Sequence, residues 1–243
     1  MTTWKVRSLR LTLFLPPGAD ARVRQLEWDE LTGNRPDNVA NRGDQQVQEG
    51  LFAPGRLLLQ KQPGRVDVLY AGFPQGEEPE DPVATLGLFE PAYALFDGIA
   101  RKLLDRATAC VRLAFGAEMV QPAATGLAAY QILVEHIRSA TFKLEGGQEF
   151  VYQMNRPRYA KAVPQLLINR LTRWNAASWQ PVTFEVAGTA QVHKGPAKVG
   201  ALVTTDVNTD GDRTDPLPAE KLLPLLDELR DLTIEIRDKG DVP

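Results

Sequence analysis

Asp206-Val-Asn208-Thr-Asp210-Gly211-Asp212 comes nearest to a metal-binding motif. Oxygen side chains at positions one, three and five, with glycine at six, reproduce the first half of a calcium loop. The second half fails. Position twelve should supply a bidentate acid and is Leu217, and the run before the loop reads as a strand, not a helix. The alternative is that Asp206 ends an edge strand and the acids solvate a turn. Calcium at Asp206, Asn208 and Asp210 is therefore the minor reading, and no metal is the main one.

A second feature is a charge asymmetry. Between Phe150 and Phe184 stand Arg156, Arg158, Lys161, Arg170 and Arg173, with no acidic residue. Tyr152, Tyr159, Trp174 and Trp179 are interleaved. Guanidinium groups for phosphate and rings for bases suit a single-strand platform. Arg, Trp and Tyr are also the favoured hot-spot residues of protein interfaces. The candidate partner-binding set is Arg156, Arg158, Arg170, Arg173, Trp174 and Trp179. A solvated sheet face with the rings in the core is the bland alternative.

Other chemistries find little support. The two histidines, His136 and His193, and one cysteine are too few for a conventional zinc site. No Gly-x-Ser-x-Gly elbow, P-loop or Gly-x-Gly-x-x-Gly turn occurs. No cofactor is indicated, and the absence of catalytic motifs leans away from an enzyme. Asp67, Glu118, Glu149 and Asp206 lie in strand-like contexts, but the sequence alone brings no two of them together. Cys110, flanked by Ala109 and Val111, reads as a buried, inert thiol.

The elements that must position these residues follow from periodicity. Residues 3–15 read as a strand ended by Pro16-Pro17-Gly18. The apolar run there is too short for a signal peptide. A short helix is possible near 21–31. Residues 34–50 offer little to bury and are expected to form a mobile loop. Residues 56–61 and 65–71 form a hairpin across Pro63-Gly64, followed by an acidic loop to Pro82. Glu90-Pro91 opens a helix, 111–120 is a strand, and Thr125 caps a second helix. Strands follow at 148–155, 165–174, 180–186 and 198–208, with Asn175-Ala-Ala-Ser178 as a hairpin loop. From Pro218 to Lys239, leucines and acids take opposite faces of an amphipathic helix, with a bend or a true start at Pro224.

This order predicts an α+β fold of two antiparallel-sheet halves with helical cover and a C-terminal amphipathic helix. The halves are 1–120, and 121–243 as a meander plus the helix. The 243 residues are 43% apolar and 24% charged, with a net charge of −3. That balance gives no global field toward nucleic acid or an anionic membrane, and no run is long enough to span a bilayer. One cysteine suits a reduced cytoplasm.

Several stretches carry a resemblance. They are Arg10-Leu-Thr-Leu-Phe14, Pro54-Gly-Arg-Leu-Leu-Leu-Gln60 leading into Gln62-Pro-Gly-Arg-Val-Asp67, Arg112-Leu-Ala-Phe-Gly116, Tyr152-Gln-Met-Asn-Arg-Pro-Arg158, Ile168-Asn-Arg-Leu171 and Thr205-Asp-Val-Asn-Thr209. Together they resemble a sporadically distributed family of uncharacterised bacterial proteins of about 250 residues. The resemblance implies no catalytic residues. Patchy occurrence suits an accessory subunit of a mobile-element or defence-type complex, with the product of a neighbouring gene as partner. The expected function is thus a non-enzymatic binding or assembly subunit. A nucleic-acid binder, or a metal-free nuclease-like enzyme using Arg156, Arg158, Arg170 and Arg173, is the alternative.

Overall fold

A computed structural model of the chain describes residues 3–16, 18, 23, 25–73, 83–107, 109–180, 182–187 and 189–242. Side chains are described outside 181–193. The acidic stretch 74–82 and the side chain of His193 lie outside the described residues.

One antiparallel sheet of 11 strands dominates, which corrects the expectation of two separate sheets. Its path runs β2 (Asn38–Arg42), β3 (Gln45–Phe52), β4 (Gly55–Gln62), β5 (Arg65–Gly72), β1 (Lys5–Phe14), β7 (Arg112–Ala123), β13 (Lys198–Thr209), β10 (Leu167–Trp179) and β8 (Val151–Asn155). Short β6 (Gly87–Leu88) adds to β1, and β9 (Arg158–Tyr159) adds to β10. β11 (Val182–Ala187) and β12 (Thr189–Lys194) form a separate hairpin. The proposed boundary at 120 falls inside β7, which pairs with β1 on one side and β13 on the other.

Strand alternation explains the layering. Leu9, Leu11 and Leu13 of β1 are fully buried, as are Leu113, Phe115 and Met119 of β7 and Val203 and Val207 of β13. Each such side chain contributes ~1.5–3 kcal/mol by leaving water. Their face is covered by helices α1 (Trp28–Thr32), α2 (Phe89–Arg106), α3 (Gly126–His136) and α4 (Ala219–Lys239). Tyr93 and Phe96 of α2 pack on Phe115. His136 at the end of α3 stacks on Trp174. The Trp28 N–H of α1 donates to Gln48 Oε1 at 2.7 Å. The remaining face of the central strands meets none of these helices.

Several local expectations hold and others do not. Thr125 caps α3, its hydroxyl accepting from the Ala128 N–H at 3.1 Å. The β4–β5 hairpin turns at Gly64, with φ of 71°. Residues 34–50, expected as loop, instead supply the mostly exposed β2 and most of β3, where the buried positions are Gln48 and Gly50, so no apolar period is there to read. Asn175-Ala-Ala-Ser178 is no hairpin loop. β10 runs straight through it because β13 pairs with every residue, from Asn175↔Leu202 to Ser178↔Val199. Pro224 does not open the last helix, which starts at Ala219 and carries the proline inside it.

Candidate functional site

β10 shows where the predicted basic surface goes. Arg170, Thr172 and Trp174 point toward the helices, while Asn169, Leu171 and Arg173 point away. Arg170 is buried 3.9 Å from Glu235. Burial and then the neighbouring Arg158 guanidinium hold its pKa below the ordinary arginine value. Arg158 also pairs with Glu235. Arg156 grips the buried Asp241 with two hydrogen bonds, at 2.6 and 2.9 Å. Trp174 is fully buried against Trp4 and His136. These residues pin the C-terminal helix and tail to the sheet. Only Arg173 and Trp179 reach the other face, where Trp179 lies under the Arg7 guanidinium at 5.4 Å. The six residues do not form one surface. Guanidinium groups on opposite sides of a sheet cannot contact one partner together.

The helix-free face carries its own constellation. A bulge makes Arg7 an extra residue of β1, placing it beside Glu118 in an ion pair. Arg10 lies across Gly116 and meets Asp206 at 3.5 Å. A Cβ on Gly116 would come within 3.3 Å of the Thr205 carbonyl and 3.5 Å of Arg10 Nη2, so glycine lets the guanidinium lie flat there. Arg65 chelates Asp67 at 2.6 and 2.8 Å, and that carboxylate raises the arginine's pKa. Thr12 donates to the same carboxylate at 2.6 Å. Phe14 lies against two guanidinium groups, Arg112 at 4.9 Å and Arg65 at 5.4 Å. Arg173 is exposed and has no carboxylate partner among the described residues.

Between Arg10 and Arg173 lies a shallow cavity of about 310 Å³. Its walls include Ser8, Gly116, Glu118, Thr204 and Asp206. Each carboxylate on this face, at Asp67, Glu118 and Asp206, already holds an arginine. Chemically, the arrangement offers guanidinium N–H donors to anions and other hydrogen-bond acceptors. Sequence reasoning singled out Arg173 but not Arg7, Arg10 or Arg112, which the fold places on the same face. The available signal was charge at the outward positions of strands whose alternate residues are leucine or phenylalanine.

The calcium motif is occupied differently. Strand period two puts Asp206 and Asn208 on the open face, where Arg10 and Arg112 take their oxygens. Asn208 also donates to Asp206 Oδ1 at 3.0 Å. Asp210 lies past the strand and accepts from the Asp212 N–H. Among the described residues no group of three or more metal-ligating side chains occurs. Millimolar calcium and a chelator are accordingly expected to leave the melting temperature unchanged. A rise with calcium would mean that a folded-state site exists after all.

Other candidates are structural. Cys110 is buried, and burial pushes its thiol up to about 12. His136 accepts from Trp4 Nε1 at 3.4 Å, so its Nδ1–H donates to the Ile132 carbonyl at 3.0 Å. No helix among the described residues is long and apolar enough to cross a membrane. No protein-family model matches the chain, and no curated protein does.

Proposed function

We propose that the protein is a non-enzymatic binding or assembly subunit whose working surface is the helix-free face of its sheet. The observation that supports this reading is five arginines, at positions 7, 10, 65, 112 and 173, on the face of the sheet that no helix among the described residues covers. Three carboxylates neutralise part of that charge and hold the guanidinium planes in place. The surplus is positive, so the ligand it fits is an extended anion. The resemblance noted above supports an accessory subunit of a bacterial complex, with a neighbouring gene product as a further partner. A buried free thiol suits the cytoplasm.

The test exploits the net charge of −3. A protein that is acidic overall binds a sulfated polysaccharide matrix only through a local basic patch. Retention at low salt, lost as salt rises and weakened in an Arg10→Ala/Arg173→Ala double variant, is the expected result. Passage of the folded parent protein without retention at low salt would reject the reading.

A further inference from the structure

We infer that the anion is single-stranded nucleic acid, laid along β1 with its phosphates on the arginines of the open face. This inference rests on the binding reading above and narrows it to one ligand class.

Geometry supplies the first reason. From Ser8 to Phe14 the strand rises ~20 Å at ~3.3 Å per residue. Arg7 and Arg10 mark one end of that track, and Arg65 and Arg112 flank the other across Phe14. Arg173 stands three strands to the side, ~14 Å away at ~4.8 Å per strand. The floor between is low, built from Ser8, Thr12, Ala114 and Gly116. A flexible polymer with a charge on every unit fits a track of this kind.

Hydrogen-bond chemistry supplies the second. The Nε–H groups of Arg7, Arg10 and Arg112 have no acceptor. On the open face of β1 and β7, the unmatched buried side-chain atoms among the described residues are these three donors. These Nε–H groups are themselves shielded, but the Arg7 and Arg10 side chains are 31% and 40% exposed and offer their outer N–H groups to a ligand rich in acceptor oxygens. A phosphodiester offers acceptors only. An acidic polypeptide carries its carboxylates on flexible side chains, whereas a nucleic acid repeats a phosphate on every unit of its backbone.

The rings supply the third. Phe14 and Trp179 are already covered by guanidinium groups. Bases would therefore stack on the outer faces of the arginines, a mode known in RNA recognition. Phosphate contact dominates such binding, so little preference among sequences is expected.

The test measures binding of fluorescent thymidine and uridine homopolymers of roughly 16 nucleotides, a full single-strand site, across a salt series. Each phosphate contact adds ~0.7 to the log–log salt slope. Arg10→Ala/Arg173→Ala should lose on the order of tenfold in affinity and ~1.4 in slope. Arg138→Ala, an exposed arginine beyond α3, serves as control and should bind like the parent. Circular dichroism melts confirm that every variant is folded. Binding with equal slope in parent and double variant would remove the ligand from this face. Retention on the sulfated matrix without oligonucleotide binding would overturn the inference and leave the binding reading standing. Tighter binding to poly-glutamate than to either homopolymer would replace nucleic acid by an acidic protein. Failure to bind any polyanion would overturn both.

Discussion

Asp241→Ala is expected to lower the melting temperature by on the order of ten degrees. Asp241 is 3% exposed. It accepts from Arg156 Nε and Nη2, from Ser139 Oγ at 2.5 Å and from the Tyr152 hydroxyl at 2.5 Å. Its backbone N–H donates to the His136 carbonyl at 2.8 Å. The tail thus ties the end of α3 to β8 and to Arg156 just beyond it. Removing one partner of a buried pair costs ~3–5 kcal/mol. The lower end applies, since Arg156 is a quarter exposed and can regain water. At ~2–4 °C per kcal/mol for a chain of this size, the shift is easily read by a thermal melt.

The same carboxylate gives an acid-dependent term. Burial alone would raise its pKa. The hydrogen bonds from Arg156, Ser139 and Tyr152, with the Arg156 charge, outweigh burial and bring it down to about 2 from 3.8. A depressed folded-state pKa gives stability that is full above the unfolded value. That stability disappears as pH falls from about 4 to about 2. The contribution is ~2 kcal/mol at ~1.36 kcal/mol per pH unit. Asp241→Asn should therefore melt lower at neutral pH and lose less on acidification than the parent. Parallel curves for the two proteins between pH 4 and 2 would remove the clamp from the account.

Trp174→Ala and Arg173→Ala, neighbours in sequence, should behave oppositely. Trp174 is fully buried between Trp4 and His136, so its truncation opens a cavity worth ~3–5 kcal/mol. Arg173 is exposed and has no ion-pair partner among the described residues, so its loss should change stability by no more than ~0.5 kcal/mol. Urea unfolding of the two variants measures both. Equal stability of Trp174→Ala and the parent would mean that the ring does not occupy the core.

What could be read from the residues follows the range of the interactions. The cap at Thr125, the turn at Pro63-Gly64 and the leucine stripe of α4 depend on neighbours within a few positions, and all were legible. β2 and β3 were not, since an edge strand such as Asn38–Arg42 is exposed on both faces and follows no period. Asn175-Ala-Ala-Ser178 has loop composition, but β13 overrode it. The division into two sheets failed for the same reason, because no local signal announces that β1 pairs with β7. The candidate site suffered most. Composition grouped Arg156 to Trp179 by proximity in sequence, whereas alternation along β10 sends Arg173 and Trp174 to opposite faces. Arg10 and Arg112 belong together only through pairings the chain makes at long range.

The central seam also sets the order of assembly. Leu11 meets Phe115, and Phe115 meets Val207, partners roughly a hundred residues apart. Closing such loops costs entropy before any contact repays it, and sheets dominated by distant pairings fold in milliseconds to seconds. During synthesis β5 can pair with one edge of the first strand, but its other edge must wait until β7 has left the ribosome. The newborn chain therefore has a long window in which a chaperone, or another copy of itself, competes for that strand.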